Sequence, residues 1–310
     1  MCHDSRVTLD PSAQSFLAFL SESGRPPLDE MSAPEAREAS MAMAALAGPG
    51  AEVSSLDRRR IAGVPCVVIT PIGEGPHPVI VWFHGGGWVL GSAEQSTPVT
   101  RDLAAASGCV VVSVDYRLAP EHPAPAAMVD CSAVTAWVLD HGAEEGWDSS
   151  RVAVGGDSAG GNLAALIAQE QADSLRAQLL VYPATDLTRS SPSHVENGDG
   201  YLLTARMMSW FVDLFLGGTG IDPADPTVSP AAASSRRLSR SARAAIITAG
   251  YDPLRDEGRA YAEALRAAGV GVEHREWEGQ IHAFFGLREM IPEAGEAIAW
   301  LAERAREAFA

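Results

Sequence analysis

The chain has 310 residues, of which 46% are hydrophobic, and it carries a formal net charge of −17 at neutral pH. This length and apolar content suit one large α/β domain, whereas the acidic balance argues against nucleic acids and anionic membrane surfaces as partners. All 23 basic residues are arginine, which excludes a catalytic lysine.

The first 48 residues contain two helix-prone stretches, 11–20 and 33–46, separated by a linker rich in glycine and proline. The sequence shows no secretory signal pattern, and no apolar run approaches the ~20 residues of a membrane span. The four cysteines are widely spaced and form neither a metal-binding pattern nor a disulfide framework; they are Cys2, Cys66, Cys109 and Cys131. We therefore expect a cytoplasmic protein with reduced thiols, no metal, no cofactor and no membrane association.

From about residue 64 onward, strand-like and helix-like runs alternate, which predicts a mostly parallel sheet with crossover helices. A strongly apolar strand is predicted at 78–83, and it leads into His84-Gly85-Gly86-Gly87-Trp88. The bare backbone N–H groups of consecutive glycines can approach a small anionic atom closely, such as the oxyanion of acyl transfer. We predict that Gly85 and Gly86 are oxyanion donors; the alternative is a flexible surface turn.

The segment 116–125 follows a predicted strand at 109–114 and contains three prolines, which restrict its path. We interpret this segment as scaffold in which Arg117 and Glu121 could pair and brace the floor of the site. Neither charge is assigned a chemical role.

The most informative stretch is Gly156-Asp157-Ser158-Ala159-Gly160, because an apolar run precedes it and helix-forming residues follow it. Strand, tight glycine turn and helix is the context in which a G-x-S-x-G serine becomes a nucleophile. Ser158 is therefore the predicted nucleophile, and Ala159 supplies a third oxyanion donor. Asp157 is expected to point away from the oxyanion and to hydrogen-bond neighbouring loops.

A serine nucleophile needs a base, and the base needs an orienting acid. His282 is the last of the eight histidines and follows a predicted strand at 272–277, as the chain order Ser, Asp, His requires. Asp252 follows a buried strand at 244–249 and is the preferred acid. A helix N-cap is the alternative role for Asp252, and Asp186, after a strand at 177–182, is a rival acid. Asp256 and Glu257 are expected to complement the dipole of the next helix.

These motifs, in this order, resemble the hormone-sensitive-lipase-like branch of the α/β-hydrolases, the bacterial family IV esterases, in its GDSAG subgroup. The resemblance covers about residues 75–290 and includes the segments 115–125 and 252–258. It implies an eight-stranded, mostly parallel sheet with a helical cap. It also implies a carboxylic-ester hydrolase with the triad Ser158, Asp252 and His282 and an oxyanion hole of Gly85, Gly86 and Ala159. One departure is Ala283, where the family usually has glycine.

The resemblance further implies that residues 1–48 and 186–228 form a cap over a catalytic domain made of residues 49–185 and 229–310. Within the second cap segment, the apolar stripe at 202–216 predicts a packed helix with Thr204 as a candidate N-cap. Leu203, Met207 and Phe211, with Trp88, would then line the acyl pocket. Ordinary core packing is the alternative for most of that stripe.

We predict a carboxylesterase that cleaves short- to medium-chain acyl esters through an acyl-enzyme, with a small-molecule ester as its partner. A deacetylase or lactonase acting on a small metabolite would use the same triad, because selectivity lies in the cap. A non-catalytic ligand-binding receptor on the same fold is the alternative from a different class, and the presence of His282 argues against it. A homodimer is a further hypothesis, since sheet edges invite pairing.

Overall fold

The structure, a computed structural model, describes residues 8–24 and 26–310, so the prediction for Cys2 lies outside it. Within these residues eight strands form one sheet in the order β1-β2-β4-β3-β5-β6-β7-β8. The strands are β1 (Ser55–Ile61), β2 (Val64–Thr70), β3 (Pro78–Phe83), β4 (Val110–Val114), β5 (Asp148–Asp157), β6 (Ala177–Val181), β7 (Arg243–Tyr251) and β8 (Val272–Ile281). β2 is antiparallel to β1 and β4, and the remaining neighbours are parallel, which confirms the predicted sheet.

Helices cover both faces of the sheet. They are α1 (Pro11–Glu22), α2 (Ala33–Ala44), α3 (Thr97–Ser107), α4 (Ala126–His141), α5 (Ala159–Glu170), α6 (Pro192–Glu196), α7 (Ala205–Leu216), α8 (Ser235–Leu238), α9 (Arg255–Ala267) and α10 (Glu293–Phe309). Because successive side chains of a strand point to opposite faces, Val81 and Phe83 of β3 join the core beneath α4, α5 and α9. Ile80 and Trp82 join the core beneath α3 and α10. The central strands are therefore apolar on both faces, as parallel strands between two helical layers require.

Helices α6 and α7 are inserted between β6 and β7, in the region predicted to be the second cap segment. The helix predicted at 202–216 begins at Ala205, and the side chain of Thr204 accepts a hydrogen bond from the N–H of Met207 at 3.1 Å, so the N-cap prediction is confirmed. In the described part of the chain, none of the helices has the length and apolar character needed to cross a membrane.

The predicted pairing of Arg117 with Glu121 is wrong. Arg117 instead forms an ion pair with Asp130 of α4 at 2.8 Å, and its backbone N–H donates to the same carboxylate. Glu121 pairs with Arg37 of α2 at 2.6 Å, and this contact lowers the pKa of the Glu121 carboxyl to about 2. Both partners lie on helices outside the segment 116–125. The spacing of four residues between Arg117 and Glu121 gives no information about such distant partners.

The buried carboxyl of Glu257 also differs from its predicted role. It lies in the first turn of α9, but its Oε1 accepts the N–H groups of Thr185 and Asp186 at 2.7 and 3.2 Å. Burial raises the pKa of this carboxyl well above its usual range. Glu257 therefore anchors the loop that leaves β6, rather than simply complementing a helix dipole.

Candidate active site

The turn between β5 and α5 holds Ser158 in an uncommon backbone conformation, with φ of 56° and ψ of −117°. A positive φ is costly for a residue with a side chain and persists only where the surroundings enforce it. Here the N–H of Ser158 donates to the carbonyl of Val181 on β6 at 2.8 Å. Gly156 and Gly160 permit the close approach of strand and helix, because a Cβ at either position would overlap the backbone of Phe83. The glycines of the motif thus hold the serine hydroxyl at the top of the sheet.

The structure brings the three predicted triad residues together. Nε2 of His282 lies 2.9 Å from Oγ of Ser158, and Nδ1 of His282 lies 2.7 Å from Oδ2 of Asp252. Asp252 follows β7 and His282 follows β8, and these strands are parallel neighbours whose carboxyl ends meet at one edge. Asp252 is fully buried and His282 is only 6% exposed. The imidazole therefore has a shielded acid on one side and the serine hydroxyl on the other.

The second carboxylate oxygen of Asp252 has a structural partner. Oδ1 accepts the N–H of Leu254 at 2.8 Å, a local bond within the turn that precedes α9. The backbone of Asp252 is held as well, because the side-chain amide of Asn197 donates to its carbonyl at 3.1 Å. Helix α9 begins at Arg255 with Leu254 at the N-cap position and no side-chain cap, so the N-cap alternative for Asp252 is wrong. Oδ2 of Asp252 faces the imidazole, and Oδ1 holds the turn that leads to the helix.

The rival acid, Asp186, is engaged elsewhere. Its carboxylate accepts hydrogen bonds from the backbone and hydroxyl of Thr188 and from Ser190. The structure therefore places Asp252, and not Asp186, against the imidazole.

The glycine loop after β3 changes one predicted role. The N–H of Gly85 donates to Oδ1 of Asp157 at 3.1 Å, so this group already has an acceptor and is not available to an oxyanion. Within the described residues, the N–H groups of Gly86, Gly87 and Ala159 meet no protein acceptor. All three residues line the cavity above Ser158. Gly87 thus takes the place predicted for Gly85, and Gly86 and Ala159 keep theirs as candidates.

The loop conformation is fixed by buried contacts beneath it. The hydroxyl of Tyr116 donates to the carbonyl of His84 at 2.7 Å, and the two rings stack with centroids 4.2 Å apart. Gly86 and Gly87 have φ of 118° and 60°. A Cβ on Gly87 would overlap the ring of Phe211 on α7. Only glycine at position 87 allows the loop and α7 to lie this close.

Asp157 lies beside the nucleophile with its carboxylate bound to the oxyanion loop, in agreement with the prediction that it hydrogen-bonds neighbouring loops. Burial raises the pKa of this carboxyl from 3.8 to about 6, although the N–H of Gly85 and the charge of His282 act in the opposite direction. The carboxyl of Asp157 therefore changes its charge near pH 6 rather than near pH 4.

A cavity of about 270 Å³ opens above Ser158 and His282. Trp88, Leu203, Met207 and Phe211 all line it, so the four predicted pocket residues lie together. The indole of Trp88 stacks on Phe215 of α7 with ring centroids 4.4 Å apart. Further apolar lining comes from separate segments that no motif singled out as pocket residues, and it includes Leu28, Leu90, Val99, Leu202 and Phe285.

Ala283, next to the base, adopts a left-handed conformation with φ of 67°. This conformation costs a residue with a Cβ about 1–2 kcal/mol. The position therefore suits the glycine that the resemblance leads one to expect, and this chain carries strain there.

The side chains described form no cluster of three or more His, Cys, Asp or Glu residues that could hold a metal ion. The described cysteines are not paired in disulfides and are buried. Burial raises the pKa of the Cys66 thiol to about 12 and that of Cys109 to about 11, so both are protonated and unreactive at neutral pH.

Residues 80–286 match the family described as alpha/beta hydrolase fold. The carboxylic ester hydrolase LipN of Mycobacterium tuberculosis is 44% identical over 236 residues, which span 73% of this chain and 62% of LipN. The ethyl acetate hydrolase of Pseudomonas putida is 33% identical over 316 residues, which span 96% of this chain and 98% of that protein. Among solved structures, the ester-hydrolase EH1AB1 from the metagenome of Lake Arreo superposes with a TM-score of 0.93 at 36% identity, and the match covers 97% of this chain and 99% of EH1AB1.

Proposed function

The chain belongs to the alpha/beta hydrolase fold family, in its hormone-sensitive-lipase-like branch, and on that premise we propose that it is a carboxylesterase. The observation that carries the proposal is the imidazole of His282, 2.9 Å from the hydroxyl of Ser158 and 2.7 Å from the carboxylate of Asp252. The activities named for the relatives support the same reaction class.

In the first step, the hydroxyl of Ser158 attacks the ester carbonyl while Nε2 of His282 accepts its proton. Asp252 accepts the hydrogen bond of Nδ1–H, which fixes the tautomer and stabilises the imidazolium. The carbonyl oxygen becomes an oxyanion, and the N–H groups of Gly86, Gly87 and Ala159 are the donors available to it. Such donors lower the activation free energy by several kcal/mol, because they are already in position before the reaction begins.

In the second step, His282 gives its proton to the departing alcohol, and the acyl group remains on Ser158 as an ester. A water molecule then attacks the acyl carbonyl while Nε2 of His282 accepts its proton. The bond between the acyl carbon and Oγ of Ser158 breaks, His282 returns the proton to Oγ, and the carboxylic acid leaves. Every proton transfer in the cycle thus uses the same nitrogen, Nε2 of His282.

The size and lining of the cavity above Ser158 indicate the substrate class. At about 270 Å³ it lies just below the range typical of pockets for drug-sized molecules. Its walls are predominantly apolar, with Trp88 and Phe211 among them. We therefore propose short- to medium-chain acyl esters as substrates. A deacetylase or lactonase remains within this proposal, because the triad is common to all three.

The residues from 1–48 and 186–228 that line the cavity, Leu28, Leu203 and Met207 among them, support a cap formed by these two segments. The cytoplasmic location and the homodimer stay predictions.

The proposal is tested by replacing Ser158 with alanine and measuring hydrolysis of p-nitrophenyl butyrate. We expect kcat to fall at least about a thousandfold, because the residual rate comes only from binding and the oxyanion donors. A fluorophosphonate should label the parent protein once per chain and should not label Ser158→Ala.

The matched control is Ser15→Ala, since Ser15 is an exposed serine on α1 that donates only to the carbonyl of Pro11. It should retain full activity and labelling. A folded Ser158→Ala protein with parental activity would exclude the triad. A parent protein that binds ligands but neither turns over esters nor reacts with the fluorophosphonate would favour the receptor alternative.

A further inference from the structure

A second cavity, of about 680 Å³, lies between the N-terminal segment and α7. One wall comes from residues within 20–23 and 26–39, and the other from residues within 198–207. Its volume is more than twice that of the cavity above Ser158. Nothing in the catalytic steps requires a cavity of this size at this place.

Three side chains separate the two cavities. Leu28, Leu202 and Met207 line both of them, and all three are only partly buried. Met207 is unbranched and flexible, so a change of rotamer alters the width of the wall at small cost. Leu202 has φ of 35°, a strained conformation for a bulky residue. Strain that is retained in a wall between two cavities points to a functional use of that wall.

The outer walls of the second cavity are tied together by charge. Arg206 of α7 forms ion pairs with Asp29 at 2.5 Å and with Glu30 at 2.9 Å, and both acids lie in the N-terminal segment. The Asp29 side chain is only 5% exposed. These ion pairs join segments that are far apart in the chain, so tertiary contacts hold the two walls of the second cavity together.

We propose that the second cavity is a side compartment of the active site that receives the distal part of an unbranched alkyl chain of the ester. This inference rests on the proposed esterase function and names the class of ester. Chains that end within the cavity above Ser158 do not use the compartment, and longer chains pass the wall of Leu28, Leu202 and Met207. The chain belongs to either the acyl or the alcohol part of the ester, since both parts meet at Ser158.

The expected effect follows from the burial of methylene groups. Each methylene that leaves water for an apolar site changes an equilibrium about fourfold. Four methylenes in the compartment would therefore raise kcat/KM by far more than tenfold, and we take tenfold as the minimum because ordering of the chain opposes the gain.

The test fills the compartment without touching the first cavity. Ala39 of α2 and Ala205 of α7 lie on opposite walls of the second cavity and do not line the first. We expect Ala39→Phe and Ala205→Phe each to lower the ratio of kcat/KM for long and short chains at least tenfold. The matched control is Glu38→Phe, an exposed neighbour on α2 that lines neither cavity, and its ratio should equal that of the parent protein.

Two substrate series locate the chain. One compares p-nitrophenyl decanoate with p-nitrophenyl butyrate, and the other compares decyl butyrate with butyl butyrate. A tenfold fall in the first series assigns the compartment to the acyl chain, and a fall in the second assigns it to the alcohol chain. Either filled variant suffices if the other does not fold, as judged by circular dichroism.

Ratios within twofold of the parent value in both series, in a folded filled variant, would overturn the inference. The proposed function would survive that result, because Ser158-dependent hydrolysis of butyrate would remain. A parent protein that hydrolyses none of the four esters would instead remove the proposed function.

Discussion

Replacing Asp157 with asparagine separates the hydrogen bond of this side chain from its charge. Oδ1 of Asp157 accepts the N–H of Gly85 at 3.1 Å, and an asparagine carbonyl can accept the same bond. The amide cannot ionise, however. The variant therefore keeps the contact with the oxyanion loop and removes a buried negative charge.

The magnitude follows from the pKa of the carboxyl, which burial raises from 3.8 to about 6. A carboxyl with a raised pKa in the folded state stabilises the fold fully below the unfolded value and loses that contribution as the pH rises through the folded value. The loss thus falls between about pH 4 and pH 6. A difference of about two pKa units corresponds to about 3 kcal/mol at most.

We therefore expect Asp157→Asn to match the parent protein in stability near pH 4 and to exceed it by about 1–3 kcal/mol at pH 8. Urea unfolding at pH 4, 5, 6 and 8 measures this difference, provided that the slope m is unchanged. Asp225→Asn is a control of opposite sign. The Asp225 carboxylate accepts hydrogen bonds from the backbone and hydroxyl of Thr227, and these bonds lower the pKa of that carboxyl. Removing this negative charge should therefore lower the free energy of unfolding above pH 4. If Asp157→Asn were less stable than the parent protein at pH 8, the ionised carboxylate would be stabilising and the reasoning would be refuted.

Two further predictions concern backbone positions in the site. Gly87→Ala would place a Cβ against the ring of Phe211 at φ of 60°, so the loop must shift; we expect kcat to fall at least about a hundredfold, as for loss of one oxyanion donor. Gly108→Ala is the matched control, since Gly108 has φ of 71° and open space around it. This variant should lower the free energy of unfolding by about 1–2 kcal/mol without changing kcat for p-nitrophenyl butyrate. Ala283→Gly removes the backbone strain of a residue with a side chain at φ of 67°. Glycine also raises the entropy of the unfolded chain, which opposes part of this gain, so we expect the free energy of unfolding to rise by about 0.5–1 kcal/mol. A decrease in urea stability for Ala283→Gly would show that the methyl group contributes more through packing than its backbone costs.

Short-range patterns in the sequence were sufficient to predict most of the candidate site residues. The strand, turn and helix around Ser158 are consecutive in the chain, and glycine at 156 and 160 is required by contacts that any such turn makes. Chain order and strand ends were sufficient to choose His282 and Asp252, because parallel strands bring their carboxyl ends to one edge. The fold class followed from the same alternation of apolar strands and helices.

Only the tertiary structure shows which polar groups already have a hydrogen-bond or ion-pair partner. The acceptor of the Gly85 N–H is Asp157, 72 positions along the chain, and this contact transfers the candidate oxyanion role to Gly87. Arg117 and Glu121 found partners on α4 and α2 rather than each other.

The second cavity likewise exists only where residues within 20–23 and 26–39 meet residues within 198–207. A local pattern reports which residues a turn or strand can accommodate, since those limits are set by neighbouring backbone. The partner of a polar group and the volume between two segments depend on how distant segments pack, and no spacing along the chain specifies that.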